Sequence, residues 1–229
     1  MQREEMECVR DRLVAALGAP QQQPQDAVET LVLTILSQHT TDANRDRAYA
    51  SLLRRFGSLD ALAGAEESQI ADAIRVGGLQ RQKAASISRT LNRIRAARGR
   101  LDLDFLRLTS VNEALAWLTA LPGVGPKTAG IVLLFALGKP YFPIDTHILR
   151  VLRRVGWMGR RGDPHRLANA ALPQDVSLLA ELHLLLIQLG RTTCRPRRPR
   201  CGECPIREFC AHGRVERGNL VEEREGGGA

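Results

Sequence analysis

The chain has 229 residues, 44% of them hydrophobic, enough for one large domain or two small ones that fold without disulfide support. A formal net charge of +8 points to a polyanionic partner, nucleic acid first, because each basic group at a phosphate surface releases a condensed counterion. Aromatic residues make up only 4%, which argues against a single-strand binder that stacks bases on rings and leaves duplex DNA gripped by its phosphates.

The N-terminal stretch from Met1 to Leu13 is charged from its third residue and has no apolar run of signal-peptide length. No segment reads as a membrane span, so the expectation is a soluble cytoplasmic protein with reduced thiols. Cys8 lies among Met6, Val9 and Leu13 and is expected in the core rather than on a metal. Beyond it, apolar residues recur at helical spacing, as in Val28, Leu31, Val32, Ile35 and Leu36, and alternating strand-like runs are missing. The fold class is all-α. Breaks fall at Gly18 to Pro24, at Phe56-Gly-Ser, at Val76-Gly-Gly-Leu79, at Leu121 to Pro126, at Gly138 to Pro143, and at Gly156 to Pro164.

The segment Leu121-Pro-Gly-Val-Gly-Pro-Lys127 places a tight turn between two helical patterns. Gly123 and Gly125, flanking Val124, permit positive φ and leave amide N–H groups free to face a phosphate. Pro126 suits the first position of the following helix, whose start is a natural anion site. A solvated lysine at a plain helix connection would look the same. Only three lysines occur, Lys83, Lys127 and Lys139, however, and the field at a helix start favours a neutral, nucleophilic amine, as does desolvation.

Pro140 and Pro143 keep the chain extended up to Ile144-Asp-Thr-His147, where a second apolar-periodic helix begins. Asp145 is expected to cap that helix, and its charge could also stabilise a cationic sugar and accept protons. His147 reads as structural.

Cys194, Cys201, Cys204 and Cys210 crowd four thiols into a segment that also carries Pro196, Pro199, Pro205 and Gly202. So little apolar material cannot order itself, and a metal centre is its natural organiser. With a single Cys-x2-Cys pair, an iron–sulfur cluster ranks ahead of zinc, and a disulfide pair comes third. Between the first two thiols runs Arg195-Pro-Arg-Arg-Pro-Arg200. Arg197, Arg198 and Arg200 are either a solvated face or, pinned by metal and proline, a fixed group for DNA phosphates.

Together the hairpin, the Ile144-Asp-Thr-His147 segment and the x6-x2-x5 cysteine spacing resemble the endonuclease III family of helix–hairpin–helix DNA glycosylases, from about Pro24 to Cys210. The resemblance implies two helical domains with a cleft between them. A central six-helix barrel over 20–139 carries the hairpin. Residues 1–19 and 140–215 would form a domain with a 4Fe–4S cluster held by the four cysteines; the tail, 216–229, is expected to be disordered from its own charged, glycine-rich composition. It implies a monomer, associated with the nucleoid, that acts on duplex DNA containing damaged bases or abasic sites. On this resemblance Lys127 would attack the anomeric carbon of an extruded oxidised pyrimidine nucleotide, Asp145 would support the attack, and β-elimination would cut the strand. Leu79 matches the family's wedge between bases. His39, with Gln38 beside it, stands where the family commonly places a glutamine plug. Pro126 and Thr119 replace an arginine and a glutamate often seen there. Two other readings share the motifs: a monofunctional mispair glycosylase, which lacks the hairpin lysine, and a non-catalytic DNA-binding iron–sulfur protein.

Overall fold

A computed structural model describes residues 3–21 and 26–214; the tail expected at 216–229 lies outside the described residues. Eleven α-helices with both ends defined, a further helical stretch at 211–214 and no strand occur among them. The helices are α1 (Arg3–Leu17), α2 (Ala27–Leu36), α3 (Asp42–Phe56), α4 (Leu59–Ala63), α5 (Glu67–Ala73), α6 (Gln80–Arg98), α7 (Val111–Thr119), α8 (Pro126–Ile131), α9 (Thr146–Val155), α10 (Pro164–Ala171) and α11 (Val176–Thr192). They fall into two units, a continuous one, Gln23–Pro143, and a discontinuous one, Met1–Gln22 with Ile144–Ala229.

The continuous unit holds α2 to α8. The α2 stripe predicted from periodicity is its core: Leu31, Val32, Ile35 and Leu36 are fully buried. Asp26 starts α2 by accepting hydrogen bonds from the Val28 and Glu29 amides at 2.9 and 2.8 Å, which satisfies two of the N–H groups a helix start leaves orphaned. Ala84, Ile87, Leu91 and Ile94 of α6 pack into the same core. At 19 residues α6 is the longest of these helices, and it stops at Gly99, a position the sequence breaks did not mark, whose φ of 75° closes it. α8 runs without interruption into a π-helical turn, Val132–Ala136, a local widening that sites of function often show.

In the discontinuous unit α1 and α9 both pack on α11. Gly190 of α11 lets α9 approach closely, since a Cβ there would lie 2.9 Å from the Cβ of His147. Arg3 of α1 pairs with Asp175 at 2.7 Å, and Asp175 in turn caps α11 through the Leu178 amide. Cys8 corrects the expectation of a core residue, because it is exposed. Met6, Val9 and Leu13 form the buried stripe of α1, and Cys8, two residues from Met6, projects from the opposite side of the helix.

Candidate active site and cluster loop

The hairpin turn links α7 to α8. Gly123 has φ 77° and a Cβ there would sit 2.5 Å from Ser86 Oγ, so glycine is required on both counts. Val124 is buried under the turn. Thr90 of α6 donates to the Pro122 carbonyl at 2.9 Å, which fixes the turn from beneath. Gly125 is the N-cap of α8 and offers no side-chain acceptor, and Pro126 follows at the first position. The first turn of α8 therefore has no side-chain cap, and the space beside Gly125 is open, which leaves room for an anion at this helix start. Thr119 ends α7 with its hydroxyl on the Leu115 carbonyl, turned to its own helix.

The three lysines of the chain end up in three different states. Lys139 donates to the carbonyls of Arg107 and Thr109. Lys83 is buried at 2% exposure and donates to the carbonyls of Leu36 and Gly77. Lys127, at the second position of α8, is exposed, and among the described residues it has no hydrogen-bonding or ionic partner. The protein itself does not bury this amine, so the desolvation expected from the sequence has to come from a bound ligand.

Asp145 is the N-cap of α9, with Oδ1 accepting from the Ile148 amide at 2.7 Å. The expected cap is present, and the carboxylate stays half-buried rather than enclosed. His147 carries a structural role: its Nδ1 lies 3.2 Å from Arg150, and its Cβ abuts Gly190.

α9 also holds the cysteine loop, a function the sequence reading missed. Arg150 donates to the carbonyls of Cys194 and Gly190 at 2.9 and 2.8 Å. One turn later Arg154 donates to Cys194 Sγ at 3.3 Å and to the carbonyls of Arg195 and Pro196 at 2.6 and 2.9 Å. The i, i+4 spacing of these arginines was the available signal. None of the four cysteines is in a disulfide, and they surround a cavity of about 20 Å³ that Arg154, Arg207 and His212 also line. Burial pushes the Cys204 thiol above its ordinary value, and the neighbouring Cys210 and Cys194 push it the same way. Four thiols packed together in this manner need a cationic centre to become thiolates. The donor set fits a cluster, and the Arg154 and Gly213 N–H groups already directed at Cys194 and Cys210 sulfur are the kind of hydrogen bonds that tune one.

Arg197, Arg198 and Arg200 are exposed on this loop. Arg198 has φ 50°, and Arg200 is held by its amide on the Thr193 carbonyl at 3.0 Å. His39 (φ 50°) and Leu79 (φ 48°) are the two other non-glycine residues with left-handed backbone among those described. Each costs roughly 1–2 kcal/mol for an L-residue, and such strain tends to gather at sites of function. Leu79 is 46% exposed, and His39 is exposed with Gln38 half-buried beside it.

Residues 32–173 match the model of the HhH-GPD superfamily of base excision DNA repair proteins, and 194–210 match the iron–sulfur binding domain of endonuclease III. The chain belongs to that superfamily, in its endonuclease III family. It is a base excision DNA glycosylase that holds a 4Fe–4S cluster. The endonuclease III of Sulfolobus acidocaldarius is 37% identical over 186 residues, covering 80% of this chain and 81% of the relative. That of Thermotoga maritima is 34% identical over 190 residues, 81% and 83% of the two chains. A plant relative from Arabidopsis thaliana is 38% identical over 170 residues, and the chain spans 57% of its length. In fold, the chain is similar to an endonuclease III solved in a non-covalent complex with DNA (TM-score 0.75, 24% identity, 94% and 98% coverage). It is likewise similar to a thermostable thymine-DNA glycosylase (TM-score 0.76, 20% identity, 93% and 98% coverage).

Proposed function

We propose that this glycosylase is bifunctional, excising oxidised pyrimidines from duplex DNA and then cutting the strand as an abasic-site lyase, with Lys127 as nucleophile and Asp145 as its charged assistant. The continuous unit is the domain of the hairpin and the discontinuous unit that of the cluster. The single observation that carries the reading is the fate of the lysines: Lys83 and Lys139 are committed to backbone carbonyls, and Lys127 stands uncommitted beside the glycine turn.

Extrusion of the damaged nucleotide brings its anomeric carbon within reach and covers the exposed amine with DNA. Lys127 Nζ then bonds to C1′ while the C1′–N bond to the base breaks, the electron pair leaving with the base, which gains a proton. The Asp145 carboxylate stabilises positive charge at the sugar and takes up the proton that the amine loses. Opening of the C1′–O4′ bond gives an iminium between Nζ and C1′. Loss of a C2′ proton expels the 3′ phosphate by β-elimination, and water releases the lysine. The resemblance to endonuclease III gives the cluster a supporting place: it organises the arginine loop, and Arg197, Arg198 and Arg200 with the Gly123-Val124-Gly125 turn grip the backbone. An open depression of about 870 Å³ lined by Arg150, Arg153, Arg154 and Arg160 adds positive charge beside that loop. Leu79 enters the strand as a wedge and His39, with Gln38, fills the opposite side.

Borohydride reduces an iminium to a stable bond, so a covalent protein–DNA adduct is expected on duplex bearing thymine glycol or an abasic site. Undiminished trapping by Lys127→Ala would remove Lys127 from this role.

A further inference from the structure

We infer that Lys83 is a positioning residue, the joint that sets the His39 and Leu79 loops at a fixed separation before they enter DNA. The inference rests on the proposed entry of those two loops. Lys83 is among the largest fully buried side chains of the chain, and no carboxylate pairs with it among the described residues. A buried ammonium without a counter-charge is costly unless its N–H groups are satisfied. Burial duly pulls it below the ordinary lysine range. What holds it are two carbonyls, those of Leu36 and Gly77, each 2.7 Å from Nζ.

Both acceptors end a helix. Leu36 is the last residue of α2 and Gly77 the last of a 3-10 turn, Arg75–Gly77. Carbonyls at these ends lack intrahelical partners and carry the negative end of the helix dipole, so a cation placed between them satisfies both. The residues that follow are the strained ones. His39 comes three positions after Leu36, and Leu79 two after Gly77, both with φ near 50°. Leucine seldom adopts that backbone by itself, so the surrounding contacts must impose it.

An apolar side chain of similar length would fill the space and bury no charge, but it would leave both carbonyls without a donor and the two segments without a shared bond. What the ammonium adds is a bond to each of two segments 41 residues apart in sequence, Leu36 and Gly77. The same face of α6 extends this joint to the hairpin: Ser86 lies under Gly123, and Thr90 donates to Pro122. One helix face thus registers both loops and the glycine turn within the continuous unit.

The test compares single-turnover excision of thymine glycol when paired in duplex and when placed in an unpaired bubble that needs no helix opening. Lys83→Met should lower the paired rate about tenfold or more and the bubble rate by less than about threefold, and combining it with Leu79→Ala should add little, because residues acting as one unit are not additive. An equal loss on both substrates, or none on either, overturns the inference. Unchanged ratios in Leu79→Ala and His39→Ala would instead reject the loop-entry reading itself. Lys83→Gln, which keeps a donor for one carbonyl, replaces methionine if that variant fails to fold, with the same deciding ratio. Fluorescence of 2-aminopurine opposite a tetrahydrofuran abasic analogue follows loop entry without chemistry. At saturating protein, Lys83→Met should give a smaller rise than the unsubstituted chain, and an identical rise also overturns the inference.

Discussion

Asp145 combines a structural cap with the charge proposed for chemistry, and one conservative change separates them. The Ile148 amide donates to Oδ1 at 2.7 Å, and an asparagine side-chain oxygen can take that place. Asp145→Asn should therefore stay within a few tenths of a kcal/mol of the original stability, whereas Asp145→Ala should lose about 1 kcal/mol, or about 2–4 °C in Tm for a chain of this size. Excision should respond in a different order. A charge aimed at a developing cation in a water-poor site is worth about 3–4 kcal/mol, so Asp145→Asn should slow base release by about 10²–10³-fold. Cleavage of a preformed abasic site should fall much less, since its open aldehyde reacts with an amine without expelling a base. The assays are thermal melting, single-turnover excision of thymine glycol, and strand cleavage at an abasic site. Undiminished excision by Asp145→Asn would reduce Asp145 to a helix cap. A Tm loss in Asp145→Asn as large as in Asp145→Ala would refute the separation of cap from charge.

Three further outcomes are expected. The purified protein should contain iron and acid-labile sulfide, and Cys204→Ser or chelation should raise amide exchange over 194–210, where order is coupled to the metal; zinc without sulfide would contradict this. Replacing Arg197, Arg198 and Arg200 by glutamine should weaken binding to damaged and undamaged duplex alike and reduce the slope of log affinity against log salt by about one unit per lost phosphate contact, whereas an unchanged slope would mean they face only solvent. Asp175 is held below the usual carboxylate range, chiefly by the Leu178 amide and also by Arg3. Such a depressed group gives stability that is present above the unfolded carboxylate value and is lost as pH falls through the folded one. Asp175→Asn should thus flatten the loss of stability below about pH 4, as read by denaturant titration; an unaltered acid limb would show that Asp175 contributes nothing to it.

Much of the candidate site was legible before any fold was seen. The spacing of Val28, Leu31, Val32, Ile35 and Leu36 marks a buried helix face, Pro126 and Asp145 mark helix starts, and the cysteine intervals mark a metal loop. Each is a local signal, decided by residues within a turn or two. Cys8 shows the limit of local reading: apolar neighbours in sequence do not share a face, and a shift of two positions turned it outward. The departures at His39, Pro126 and Thr119 were visible as letters, but the left-handed backbone at His39 and Leu79 was not, since neither residue type calls for it.

Periodicity, capping chemistry and short motifs act over a few residues, and they suffice for the helical class, the caps, the cysteine loop and the family. Packing between distant segments settles which lysine is uncommitted, which arginines of α9 hold the cysteine loop, and which carbonyls Lys83 meets. A lysine in the first turns of a helix reads as a solvated side chain with a long apolar stem. Its fate depends on where the carbonyls of Leu36 and Gly77 end up, 47 and 6 residues away in sequence. No local pattern encodes that meeting, because it exists only once α2, the turn at Gly77 and α6 have packed around one core.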